Sequence, residues 1–173
     1  MLKVMEKFVD PLLPTEELHF SNGTVQYRTI VQKDLPAVKE LITALARLFN
    51  DDFNPYWFDL YVQKFFQDPA AHIFIAEISG KVVGIAFAEV QRDPVGYSIG
   101  YISNIMVDEN ARGKGIGSQL LHFASSFLSH LFIPKIWANV YHDNAIMQEI
   151  FEQQGFQHKF TVMGQKINFG PGC

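Results

Sequence analysis

The segment "ARGKGIGS", Ala111 to Ser118, sets Gly113, Gly115 and Gly117 within six residues of chain that also carry the cations Arg112 and Lys114. It follows the apolar run "NIMV" and leads straight into a helical pattern. Glycine is unfavourable inside a helix, so three of them at such a corner call for a reason. A strand entering a glycine-rich turn and then a helix presents several free backbone N–H groups pointing one way, with the positive end of the helix dipole behind them. Glycines let the backbone reach positive φ and approach a bulky anion, and the two cations add charge. The chemistry implied is capture of a phosphate or pyrophosphate. The alternative is a bare corner that serves only to pack a helix tightly on a sheet. Two familiar phosphate loops do not fit: Gly117 is followed by Ser118 where a P-loop needs lysine, and the third glycine of the dinucleotide pattern is missing.

The elements that must position this corner are legible on both sides of it. "VQYRTIV" alternates as a first strand, and Asp34 is the expected N-cap of a helix carrying Leu35, Val38, Leu41, Ile42, Leu45 and Leu48 at helical spacing. "NDDFNP" breaks that helix, and a second is expected over Trp57 to Phe66. "HIFIAEI", the turn "SGK" and "VVGIAFAEVQ" read as a hairpin, and "IGYISNIMV" as a fourth, largely buried strand. Beyond the glycines, Ile116, Leu120, Leu121, Ala124, Phe127, Leu128 and Leu131 make one apolar stripe of an amphipathic helix. "KIWANVY" is a fifth strand; Asp143 or Asn144 caps a further helix that Gly155 closes, and "FQHKFTVM" and "QKINF" end the chain as strands. This alternation predicts an α/β (α+β) fold. Residues 1–23, broken by Pro11, Pro14 and "SNG", read as an irregular N-terminal extension, and 24–173 as a single domain.

Composition narrows the function classes. The 173 residues are 48% hydrophobic with a net charge of −4, which disfavours nucleic acid as the main partner and suits cationic small molecules. Cys173 is the only cysteine, so no disulfide framework is expected. No apolar run approaches bilayer-spanning length and the N-terminus does not read as a signal peptide, so a soluble cytoplasmic protein without membrane partners is the expectation. The six histidines show no paired ligand spacing, and no metal site is expected.

The spacing R-x-x-G-x-G, here Arg112, Gly115 and Gly117 after "NIMV", resembles the acetyl-coenzyme A signature of the GNAT family, the Gcn5-related N-acetyltransferases. "NAIMQEIFEQQGF", with Asn144, Gly155 and Phe156, is similar to the family's second block, and the resemblance covers about residues 25–168. It implies a central mixed, mostly antiparallel sheet of about seven strands flanked by about four helices. Its fourth and fifth strands splay apart to hold coenzyme A. The implied cofactor residues are Ile105, Met106, Val107, Arg112, Gly113, Lys114, Gly115, Ile116, Gly117, Ser118, Asn144 and Phe151. Backbone groups of Ile105 and Val107 would pair with the pantetheine arm, and the amides from Arg112 to Ser118 would hold the pyrophosphate. The Ile105 N–H, just past the usual bulge, would face the thioester carbonyl as an oxyanion donor, worth a few kcal/mol in the transition state. Asn144 serves equally well as a pantetheine contact or a helix cap.

The sequence departs from the family where proton transfer is concerned. The tyrosine that usually protonates the leaving thiolate is Phe151 here, and Tyr141 is the nearest substitute. The positions that often carry a basic carboxylate appear as Tyr101, Ser103, Asn104 and Asn139, leaving Glu89, Asp108 and His142 as candidate bases. Each also reads as an ordinary structural or surface residue. For the acceptor, Asp51, Asp52, Phe53 and Trp57 lie in an aromatic and acidic stretch suited to a cationic amine, or else to core filling and helix capping. The resemblance therefore implies an N-acetyltransferase acting on a small-molecule amine that is polyamine-, aminoglycoside- or amino-acid-like. A protein N-terminal or lysine acetyltransferase and a non-catalytic acyl-coenzyme A sensor are the alternatives, and homodimerisation is left open.

Overall fold

The computed structural model describes residues 17–20, 23–92 and 94–159. Its elements run β1 (Glu17–Phe20), β2 (Gly23–Thr29), α1 (Leu35–Leu48), α2 (Pro55–Gln67), β3 (Ala71–Ile78), β4 (Lys81–Arg92), β5 (Ser98–Val107), α3 (Ile116–His130), β6 (Ile136–Ala138) and α4 (Ala145–Gln153). The strands form a six-stranded sheet in sequence order, antiparallel throughout except for the parallel β5–β6 pair.

Side chains alternate across β3 and β4, and both faces are covered. Ile73, Ile75, Ile85 and Phe87 pack with Val38, Leu41, Phe58, Val62 and Phe65 of α1 and α2. Phe74, Ala76, Ala86 and Ala88 pack with Leu120, Leu121, Ala124 and Leu128 of α3. A strand buried on two sides reads as a nearly continuous apolar run, which is why "VVGIAFAEV" lacks a polar face. α3 can lie close because Gly84 and Gly100 face it: a Cβ on Gly100 would sit 2.9 Å from Leu128 Cδ1, and one on Gly84 3.0 Å from Leu120 Cδ1.

Several expectations change. The sheet shows six strands among the described residues, close to the about seven expected; residues 156–159 form no strand, and the rest of the expected closing hairpin lies outside the described residues. The stretch 1–23, read as irregular, contributes β1, paired with β2 from Glu17↔Gln26 to Phe20↔Gly23. The fifth strand ends at Ala138 instead of Tyr141.

Asp34 occupies the N-cap position of α1 without capping it. Its buried carboxylate instead accepts Arg28 Nη1 and Nη2 at 2.7 and 2.9 Å and the Val31 N–H at 2.8 Å. Arg28 Nη2 also reaches Glu77 on β3 at 2.6 Å, so one guanidinium ties β2, β3 and the entry to α1. Burial opposes the Asp34 charge, but the hydrogen bonds from Arg28 and Val31 prevail and hold its carboxyl below the ordinary value. A depressed pKa contributes stability that is fully present above the unfolded value of about 3.9 and is lost as pH falls through the folded one. Melting temperature should therefore decline on acidification below about pH 4. Asp34→Asn, less stable at neutral pH, should lose that part of the decline. Parallel melting-temperature profiles for the two proteins would contradict this role.

Candidate active site

β5 is the strand on which the site is built. Its pairing with β6 runs Gly100↔Ile136, Tyr101↔Trp137 and Ile102↔Ala138, and stops there. From Ser103 to Val107, β5 keeps β4 on one side and, among the described residues, has no strand on the other. The same point carries a bulge: Phe87 pairs with Ser103 but Ile85 with Met106, leaving Asn104 and Ile105 opposite Ala86. Asn104 adopts φ +52°, a left-handed conformation that asparagine tolerates better than most residues. The extra residue reverses the alternation. Ile102 faces α3, whereas Met106, four residues on, lies in the core beneath α1 and α2.

The gap opens into a cleft of about 360 Å³. Its walls are α1 (Ile42) with Phe49 just after it, β5 (Tyr101, Ser103, Ile105) and the chain from Asn139 into α4. Phe49 and Tyr141 close one side as a stacked pair, 3.8 Å between centroids and 12° between planes. Asn144 caps α4 through its side-chain oxygen, which accepts the Met147 N–H at 3.2 Å, and the same residue lines the cleft. Phe151 is buried, borders the cleft and packs edge-on against Phe156 at 4.9 Å. Burial raises the Tyr101 pKa.

Beyond β5, two of the three corner glycines do not serve tight packing. Gly113 and Gly115 have φ of +75° and +73°, and a Cβ on either would meet nothing within 4 Å. They are not packing glycines; that work falls to Gly84 and Gly100. Gly115 is the N-cap of α3 in a left-handed conformation, with no side chain to cap it. Among the described residues, the amides of Gly113 to Ser118 donate to no acceptor; the first bond of the helix is Gln119 N–H to Gly115 O at 3.0 Å. Arg112 differs from the rest of the loop. Its amide leans on Glu109 O at 3.4 Å, and its Nε donates to the Val107 carbonyl at 3.0 Å. Lys114 is half-buried, while Ile116 is buried beneath the turn and anchors α3 to the core. Gln154 Nε2 reaches Ser118 O at 2.6 Å and ties α4 to this first turn.

Other sequence candidates lie elsewhere. Glu89 is buried, but its carboxylate is held by Lys64 Nζ, Tyr61 Oη at 3.2 Å and Gln91 Nε2 at 3.0 Å, and it does not line the cleft. His142 is exposed and not among the cleft walls. Asp108 accepts the Asn110 N–H at 3.0 Å, a bond that helps to lower its pKa, and pairs with Lys81 at 3.5 Å; it caps a turn. Of the acceptor candidates, Asp51 lines the cleft, Asp52 is exposed, Phe53 packs into the core against Phe58, and Trp57 is 64% exposed on α2. The sequence reading did not single out Phe49 as a wall of the site: its partner Tyr141 lies far along the chain and no spacing links them.

An unpaired strand edge beside a helix N-terminus stripped of acceptors defines a scaffold that receives an extended ligand bearing an anion. A family model, Acetyltransferase (GNAT) family, matches residues 42–156, and the chain belongs to that family. An uncharacterized N-acetyltransferase of Methanocaldococcus jannaschii is 26% identical over 147 residues, or 82% of this chain; the match spans 64% of the relative, less than two thirds of its length. A predicted acetyltransferase of Clostridium acetobutylicum, solved with acetyl-CoA, superposes with a TM-score of 0.70 at 18% identity, covering 82% of this chain and 96% of that one. AAC(6')-Iy with a bisubstrate analogue of CoA superposes at 0.71 and 17% identity, covering 84% and 99%. At these identities the two structures establish the fold.

The two classes of glycine should separate on substitution. Gly100→Ala, which drives a methyl into Leu128, should cost 1–3 kcal/mol, about the range for overpacking. Gly113→Ala, with open space but positive φ, should cost about 1 kcal/mol. Equal denaturation midpoints for Gly100→Ala and the wild type would contradict the packing argument.

Proposed function

We propose that the chain transfers an acetyl group from acetyl-coenzyme A to a primary amine of a small molecule, by direct attack in a ternary complex. The observation that carries this reading is the conjunction at the end of β5: a strand edge without a neighbour continuing into a turn whose amides have no acceptor among the described residues. The residues fit coenzyme A. The amides of Gly113 to Ser118 would hold its pyrophosphate, with Lys114 and the remaining Arg112 nitrogens adding charge. The edge formed by Ile105 and Val107 would take the amide-bearing arm as a strand takes a neighbour. Met106 contributes backbone only, its side chain being committed to the core. Acetyl-coenzyme A supplies an activated thioester; this chain's part is to orient it, donate the Ile105 N–H toward the carbonyl oxygen and manage protons.

The acceptor would enter beside Asp51 and the Phe49–Tyr141 stack. An anionic carboxylate and π faces on one wall favour a cationic amine, such as a polyamine, an aminoglycoside or an amino-acid-like compound. Tyr141 is half-exposed with its hydroxyl available, which suits it to protonate the departing thiolate in place of a residue at Phe151. The buried Phe151 also keeps a second reading in view, a sensor that binds acyl-coenzyme A without transferring the group.

Thiol release from acetyl-coenzyme A with a panel of amines tests the proposal. Turnover with cationic small amines is expected, and binding without turnover on any amine would favour the sensor. Gly115→Ala should raise the KM for acetyl-coenzyme A about tenfold while leaving the acceptor KM nearly unchanged, the loss of about 1.4 kcal/mol of binding. Asp51→Asn should do the reverse, raising the acceptor KM several-fold; an unchanged acceptor KM would remove Asp51 from the site.

A further inference from the structure

Among the described residues that line the cleft, Asp51 is the only acid, and none is lysine, arginine or histidine. The turn that ends α1 sets Asp51 there. The Ala46 carbonyl accepts both the Phe49 and the Asp51 N–H at 3.0 Å, and Asn50 between them takes φ +54°. The rest of the α1 wall is apolar. Ile42, Leu45, Ala46 and Phe49 recur at the spacing of one helix face, and each is only partly buried. Val38 and Leu41, earlier in the helix, are spent in the core. The apolar stripe of α1 thus fills the core with its first half and walls the cleft with its second. Polar partners are few. Asn104 Nδ2 donates to Ser103 Oγ at 3.2 Å, and Asn144 Oδ1 already holds the Met147 N–H.

We infer that the acceptor is a primary amine on an apolar alkyl or aromatic body that carries no acidic group. The α1 stripe takes the body, while Asp51 draws in the ammonium and repels carboxylates and phosphates. The inference rests on the acetyltransferase reading above and narrows it: free amino acids and aminoglycosides fall outside. Coenzyme A held along β5 and at the glycine corner would leave the α1 wall to the acceptor. An acid in this cleft would meet the Asp51 charge with no cation to offset it. A body rich in hydroxyls or further ammonium groups would bury them against Ile42 and Leu45 without partners.

The reaction balances for any such amine. The new N–C bond replaces the C–S bond of the thioester. Of the two protons that the ammonium sheds, one goes to the thiolate sulfur and one to water. Specificity then lies in which amine is held beside the thioester, and two features of the cleft decide it separately. Asp51 sets the sign of charge that is admitted. Ile42, Leu45 and Phe49 set how much apolar surface is rewarded.

The test is kcat/KM for the acceptor, read as thiol release at saturating acetyl-coenzyme A, over matched amines. Butylamine should exceed 4-aminobutanoate, and phenethylamine should exceed phenylalanine, each by about tenfold or more. From propylamine to hexylamine, kcat/KM should climb about threefold per added methylene. Asp51→Asn should shrink the butylamine-to-aminobutanoate ratio, whereas mere structural damage would lower both members alike. Ile42→Ala should flatten the climb along the alkyl series. Preference for the carboxylate-bearing member of either pair, an aminoglycoside acetylated better than every alkyl or aryl amine, or no dependence on chain length would overturn the inference and leave the acetyltransferase reading intact. A ratio that Asp51→Asn leaves unchanged would overturn Asp51 as the charge filter. Wild-type protein that binds acetyl-coenzyme A and acetylates no amine would overturn both readings.

Discussion

The site depends on one interruption of backbone pairing. β5 and β6 run parallel for three residue pairs and then part, so from Ser103 onward the edge of β5 that points away from β4 borders a cleft instead of a neighbouring strand. Unpaired backbone within a fold is costly unless water or a ligand satisfies it. The bulge at Asn104 and the short β6 keep that edge open, and the cores on both faces of the sheet hold it rigid. An extended ligand with amide groups is the natural complement to such an edge.

The glycine corner continues the same logic from neutral to charged backbone. α3 is anchored by Ile116, Leu120 and Leu128 against Gly84 and Gly100, so its N-terminus cannot rotate to find acceptors for its own amides. The N–H groups of Gly113 to Ser118 therefore stay without an acceptor among the described residues, at the positive end of the helix dipole. Binding an anion there requires little rearrangement. The acceptor side is built differently, from an aromatic stack and a single carboxylate contributed by segments far apart in the chain.

What the sequence disclosed follows from how local each constraint is. Positive φ at Gly113 and Gly115 selects glycine at those positions, so the corner was visible in a handful of letters, as were the apolar stripes of α1 and α3. Pairing and partner choice are not local. "KIWANVY" alternates to its end, yet β6 stops at Ala138 because no neighbour continues beside it. Asp34 has a helix cap's chemistry and position, but Arg28 draws its carboxylate away. Glu89 lies on a strand, as the sequence pattern expects, but away from the cleft walls, and its partners Tyr61 and Lys64, on a helix more than two dozen residues earlier, leave no trace in the local pattern. The Phe49–Tyr141 stack was hidden for the same reason.

The central claim is that the free amides after β5 receive the pyrophosphate of acetyl-coenzyme A. Amide chemical shifts measured by NMR during titration with acetyl-coenzyme A address it directly. The resonances of Gly113, Gly115 and Gly117 should move downfield as they acquire charged acceptors, while those of Gly84 and Gly100 stay in place. Saturable binding that leaves the Gly113–Ser118 amides unshifted would contradict the account, because the cofactor would then be held by some other surface.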